Sequence, residues 1–264
     1  MAAVFEYLFA HAASSDPATS PDASGNSRTL TMVYDSGGAT IGADANGGYF
    51  NITAAPNTSL ARAYVATTTG SLQAALNGLQ KFTIILTLES LQVGDYPDSP
   101  VMEIGPSGGI PKLSARVADA GGAGYINFEV LGGKYLFGID RDSSVALVVD
   151  STQATAADRF KFFIRNAGTN EAGTIATTDT DITLNAALSI DTSDVVCFGN
   201  AVDGSNNCDG GFRYAYMDND ALTSTPTYSA FTALASDDDT AIFSASATTS
   251  SVPLRTFNPC LVNR

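Results

Sequence analysis

Tryptophan is absent from the 264 residues, histidine occurs once and cysteine three times. The lone imidazole, His11, has no cysteine near it and the cysteines lack zinc-ligand spacing, so a Cys/His metal centre is excluded. Three cysteines also make no disulfide framework. Cys197 and Cys208 flank a hairpin-like loop, which leaves two alternatives open: a bridge between them, or two inert thiols. Positive charge is scarce, with 13 basic against 27 acidic residues and a net charge of -14. Such a chain repels phosphate backbones and anionic headgroups, which argues against nucleic acid and membrane partners. Long charged helix formers are few, which excludes an all-helical bundle. No apolar run approaches the roughly 18 to 20 residues of a membrane span. Residues 1–13 are apolar, but they carry no basic n-region and Glu6 interrupts them, so they read as a first strand rather than an export signal.

What the chain does have is Gly, Ser, Thr, Ala, Asp and Asn around short apolar runs of period two. That pattern marks antiparallel strands with one buried face. Strands are expected at 4–9, 29–34, 48–52, 63–67, 81–88, 101–104, 112–117, 125–130, 135–140, 144–150, 159–165, 195–199 and 211–217. With no amphipathic helices between them, they predict an all-β fold, a two-sheet antiparallel sandwich. Two short surface helices are expected, at 72–79 from the spacing of Leu72, Ala75, Leu76 and Leu79, and at 227–235 after Pro226. The sandwich is assigned to residues 1–236, with the turn-rich stretch between Ala10 and Arg28 as a long surface loop. Residues 237–264 form either a closing strand or an extended arm, in which Phe257, Leu261 and Val262 would dock on a neighbouring subunit or on their own domain.

Five segments stand in order along the chain: Phe5-Glu-Tyr-Leu-Phe9 followed by Asp22-Ala-Ser-Gly-Asn-Ser-Arg-Thr-Leu30, then Lys81-Phe-Thr-Ile-Ile-Leu86, then Val145-Ala-Leu-Val-Val-Asp150 with Arg159-Phe-Lys-Phe-Phe-Ile164. Val196-Cys-Phe-Gly-Asn200 and Asp209-Gly-Gly-Phe-Arg-Tyr-Ala-Tyr-Met-Asp218 with Ala221-Leu-Thr223 complete the order. In that order they resemble the laminin G-like, concanavalin A-like group of jelly-roll sandwiches. The resemblance implies a two-sheet antiparallel jelly-roll β-sandwich of the concanavalin A-like kind, and it permits glycan binding by aromatic stacking and a calcium ion held by loop oxygens. The chain departs from the group in lacking tryptophan and in reading Ile-Ile-Leu-Thr-Leu at 84–88, where members often carry an aromatic platform.

Tyr49, Tyr96, Tyr125 and Tyr135 lie beside glycines or prolines and are the candidate sugar contacts. Asp203, Asn206, Asn207 and Asp209 concentrate the oxygens that calcium takes, as do Asp237, Asp238 and Asp239, although solvated turns give the same pattern. Glu89, Glu103 and Glu129 are solitary in sequence, His11 stands alone, and Gly121-Gly-Ala-Gly124 follows no parallel strand, so no catalytic constellation is expected. The leading expectation is therefore a non-catalytic protein of a virus-particle exterior, such as a phage capsid decoration. It would be made in the host cytoplasm, assemble as a homo-oligomer with a trimer favoured, and meet a major capsid protein. The alternative is a carbohydrate-binding module, with or without calcium.

Overall fold

The computed structural model describes residues 3–9, 19–34, 39–44, 47–52, 60–89, 98–119, 124–139, 143–166 and 169–221. Along the chain come β1 (Ala3–Leu8), β2 (Thr19–Ser20), β3 (Leu30–Val33), β4 (Ala39–Asp44), β5 (Gly47–Ile52), β6 (Arg62–Ala66) and the helix α1 (Leu72–Leu76). They are followed by β7 (Lys81–Glu89), β8 (Pro100–Pro106), β9 (Leu113–Asp119), β10 (Gly124–Val130), β11 (Gly133–Gly138) and β12 (Ser143–Asp150). The described strands end with β13 (Phe160–Asn166), β14 (Thr169–Ala172), β15 (Ile175–Thr180), β16 (Asp194–Phe198) and β17 (Gly210–Asp218). All pairings between them are antiparallel. The first sheet runs β14-β13-β12-β7-β17-β5-β4, with β1 also paired to β17; the second runs β15-β11-β10-β9-β8-β16-β6-β3-β2. The expected all-β sandwich is what forms.

Alternation builds the core between the sheets. On β10, Ile126, Phe128 and Val130 are buried while Tyr125, Asn127 and Glu129 point away, and β11 repeats the pattern with Tyr135 and Phe137 inward. Rings then meet across the layers, Tyr135 stacking on Phe160 at 4.3 Å and Phe137 on Phe162 at 4.4 Å. A second aromatic group gathers Phe5, Tyr7 and Phe9 around Phe198 of the facing sheet. Each such pair adds about 0.5–1.5 kcal/mol beyond the area it buries.

The Asp22-Ala-Ser-Gly-Asn-Ser-Arg28 motif is a latch. Asp22 Oδ1 accepts the N–H groups of Glu6 and Ser24, and its Oδ2 accepts that of Arg28. Asn26 Nδ2 donates to the Ala3 carbonyl at 2.9 Å, and the buried Arg28 guanidinium donates to the carbonyls of Val4 and Gly70. The Tyr7 hydroxyl closes the knot on the Arg28 carbonyl at 2.6 Å. Gly70 is required here, because a Cβ on it would stand 2.5 Å from the Asn26 carbonyl oxygen.

α1 is shorter than the expected 72–79. Leu72 and Leu76 bury as the spacing requires, but Asn77 turns extended and Gly78 adopts a φ of 87°, giving its N–H to the Leu188 carbonyl. The expected helix at 227–235 lies outside the described residues. Among the described residues no helix is long and apolar enough to cross a membrane.

Candidate functional site

The outward side of the second sheet carries the polar and aromatic groups that the core cannot use. Pairing places one row across its full width: Thr19, Thr31, Tyr64, Cys197, Glu103, Ser114, Glu129, Lys134 and Thr180. The loop that follows β16 folds over one half of this face. The Val202 N–H donates to Glu103 Oε2 at 3.0 Å, Arg62 Nη1 to the Val202 carbonyl at 3.0 Å, and Asn200 Nδ2 to the Ala61 carbonyl at 3.0 Å. Glu103 is thereby fully buried, and its other carboxylate oxygen accepts Arg116 Nη2. Burial pushes the Glu103 carboxyl above its ordinary range, against the opposing pull of Arg116. The Arg62 guanidinium also lies 4.5 Å over the Tyr64 ring.

The other half of the face, on β9, β10 and β11, is left open by the described residues. Tyr125 stands opposite Ala118 on one neighbouring strand and Gly138 on the other, so neither flank carries a side chain large enough to cover its ring. Next along β10, Asn127 lies between Arg116 and Leu136, and Glu129 between Ser114 and Lys134. Asn127 Nδ2 donates to Glu129 Oε1 at 3.1 Å, and Lys134 Nζ pairs with that oxygen at 3.1 Å. Its own hydrogen-bonded ion pair with Glu129 lifts the Lys134 ammonium above its ordinary value. A partly exposed aromatic ring beside an amide, a carboxylate and two cations is a surface that can stack on an apolar ring face and hydrogen-bond hydroxyl groups around it.

The four candidate tyrosines therefore separate. Tyr125 is on the open face. Tyr135 is a core residue, 2% exposed, its hydroxyl accepting the Ile182 N–H at 2.9 Å, and it offers no face to a ligand. Tyr49 lies within β5 and Tyr96 outside the described residues, as do Phe257, Leu261 and Val262.

Cys197 and Cys208 are both buried free thiols, so no bridge closes the loop between them. That loop is held instead by the Asn200–Asn207 bridge and by the Cys208 N–H on the Gly199 carbonyl at 2.9 Å. Burial pushes the Cys197 thiol up to about 12 and raises that of Cys208 as well. One of the candidate calcium oxygens serves the loop. Asp203 Oδ1 accepts the Ser205 N–H at 2.9 Å, and hydrogen bonds from Ser205 hold its carboxyl below the ordinary range. Asn206 Nδ2 donates to the Asp98 carbonyl, and burial raises the Asp209 carboxyl. No group of three His, Cys, Asp or Glu side chains fit to hold a metal ion occurs among the described residues.

Glu103 and Glu129, solitary in sequence, each gain a cation in the fold. Arg116, Asn127 and Lys134 carried no signal of their own. The alternation at 125, 127 and 129 was legible, but their neighbours depend on strand register.

No protein-family model and no curated protein matches the sequence. Solved structures do resemble the fold. Botulinum neurotoxin type C, from a study describing its cell entry as dependent on two ganglioside molecules, aligns with a TM-score of 0.53 at 11% identity, over 84% of this chain and 48% of that one. A GH54 α-L-arabinofuranosidase aligns with 0.52 at 12% identity, over 78% of this chain and 47% of that one. The sialidase of Trypanosoma rangeli gives 0.50 at 14% identity, over 83% of this chain and 30% of that one. These likenesses show a β-sandwich fold. The chain spans less than half of each of these larger proteins.

Proposed function

We propose that this chain is a non-catalytic glycan-binding β-sandwich that contacts sugar through the open half of its second sheet. The observation that carries the reading is Tyr125, an outward ring flanked by Ala118 and Gly138 and continued along its strand by Asn127 and Glu129. Sugars present an apolar ring face edged by hydroxyl groups, and binding sites of this kind combine an aromatic surface with a few placed polar groups. Two of the neighbours carry sugar-cleaving names and a third is described with gangliosides, which favours this reading over the virion-surface one.

The absence of catalysis is part of the proposal. In most glycoside hydrolases two carboxyl groups flank the scissile bond. Glu103 is sealed beneath the 199–208 loop and bound to Arg116, and Glu129 is neutralised by Lys134 on a solvated face. Titration against a panel of neutral and acidic polysaccharides, with and without chelator, tests the reading. Saturable binding to at least one glycan, unaffected by chelator and weakened about tenfold or more by Tyr125→Ala, a loss of about 1.4 kcal/mol, is the expected result. Binding that survives Tyr125→Ala unchanged places the contact elsewhere, and release of reducing sugar ends the non-catalytic assignment.

A further inference from the structure

The two cations near Tyr125, Arg116 and Lys134, each hold a carboxylate already. Lys134 Nζ lies 3.1 Å from Glu129 Oε1, and Arg116 Nη2 donates to the buried Glu103. Lys134 also stands in the field of Asp179 and Asp98, and the whole chain carries a net charge of -14. A carboxylate or sulfate on an arriving sugar would reach Lys134 only by displacing Glu129, which exchanges one anion for another and leaves two like charges side by side. Competition for Arg116 would strand the Glu103 carboxylate inside the protein. Hydroxyl groups meet the opposite situation. Glu129 Oε1 takes both the Asn127 amide and the Lys134 ammonium, and among the described residues these bonds leave Glu129 Oε2 and Asn127 Oδ1 to accept further donors. Glu129 is exposed, and residues 125, 127 and 129 face the same side of β10, so both acceptors share a surface with the Tyr125 ring.

Resting on the glycan reading above, we infer that Glu129 is the specificity-determining residue of this face and that it selects neutral, hydroxyl-rich polysaccharides over acidic ones. Its carboxylate, fixed by Lys134, accepts hydrogen bonds from sugar hydroxyl groups, and Asn127 Oδ1 is a second acceptor on the same strand. A hydroxyl bound to a carboxylate makes a short bond, about twice as strong as one between neutral groups. The same charge repels a uronate or sulfate brought to the Tyr125 ring. Attraction for one class and repulsion of the other therefore come from one side chain. An exposed ion pair of this kind contributes little to folding, so removing the Glu129 charge alters binding while the sandwich stays intact.

Polymers that differ only in charge test it on the full-length chain. Arabinan, galactan, mannan and glucan are each titrated as hydroxyethylated and carboxymethylated derivatives, whose substituents are similar in size, at about 20 and about 200 mM salt. The parent should bind at least one hydroxyethylated polymer with an affinity that salt leaves unchanged, and its carboxymethylated counterpart about tenfold or more weakly. Glu129→Gln keeps the shape and removes the charge. It should weaken the neutral polymer about threefold or more and shrink the preference over the acidic one to less than about threefold. A carboxymethylated polymer that binds the parent as tightly as the neutral one, or a preference that Glu129→Gln leaves intact, would overturn the inference. If the carboxymethylated polymer binds best and Tyr125→Ala abolishes that binding, the glycan reading stands and the neutral assignment falls. If no polymer of either kind binds, both fall.

Discussion

Replacing Asp22 removes one side chain and releases three backbone donors at once. Its two oxygens hold the N–H groups of Glu6 and Ser24 at 3.0 Å each and of Arg28 at 3.1 Å, tying β1 to the approach of β3. A hydrogen bond to a charged group contributes about 1.5–3 kcal/mol, and a buried donor left unpaired costs about 1–3 kcal/mol. All three bonds are only partly buried, so water recovers a share of each, and the contributions are not additive. About 3 kcal/mol is the resulting expectation for Asp22→Ala. Asp22→Asn keeps one acceptor oxygen and turns an NH2 group toward a backbone donor, so about 1–2 kcal/mol is expected. Urea unfolding followed by circular dichroism measures both. With an m-value near 3 kcal/mol/M, the midpoint should fall by about 1 M for alanine and about half that for asparagine, with m unchanged. An alanine variant within about 0.5 kcal/mol of the parent would refute the latch, because that is the range of an uninvolved surface position.

Tyr135→Phe should cost about 1 kcal/mol, through loss of the acceptor for the Ile182 N–H, and leave any glycan affinity unchanged; a change in affinity would return Tyr135 to the ligand surface. Glu103 has a folded-state pKa raised above its ordinary 4.5, so the native state keeps the proton longer than the unfolded chain does. The parent should therefore lose stability relative to Glu103→Gln as pH rises from 4.5 through the raised value, and parallel stability curves from pH 4 to 7 would contradict this. Cys197 and Cys208 should resist an aromatic disulfide reagent until the protein unfolds, and reductant should leave the unfolding midpoint unmoved; a midpoint that drops with reductant would reinstate the bridge.

The strands that sequence reading misses share one property. β4, β14, β15 and β2 are the four ends of the two sheet orders, while the strands between them carry the apolar runs, alternating as in β10 and β11 or buried throughout as in β12 and β17. A strand at a sheet end is paired along one side only and meets less apolar surface. Ile175-Ala-Thr-Thr-Asp-Thr180 accordingly shows almost no burial, and Thr19-Ser20 is two residues long. Short polar strands of this kind also discourage pairing with other chains. The candidate site divides the same way. Tyr125 announced itself by alternation and a neighbouring glycine, but its open flanks come from Ala118 and Gly138, which only register brings beside it. Tyr135 carried the same local signal and was claimed by the core, where Phe160 waits on the facing sheet. The cysteine pair was close enough in sequence for a bridge, yet asparagine pairing holds that loop.

The position of β17 has a consequence for how the molecule is made. It lies inside the first sheet, with β7 along one side and β1 and β5 sharing the other, so the earliest and latest described strands are direct partners. A chain emerging from the ribosome cannot assemble that sheet until residue 218 is free, and until then β1 has no ladder to join and β7 shows a bare inner edge. Closure across so many residues is slow, and unpaired strand edges associate with one another. Nascent chains that stop short of Gly210 should therefore be caught by chaperones or aggregate, and folding yield should depend on how quickly synthesis runs to the end.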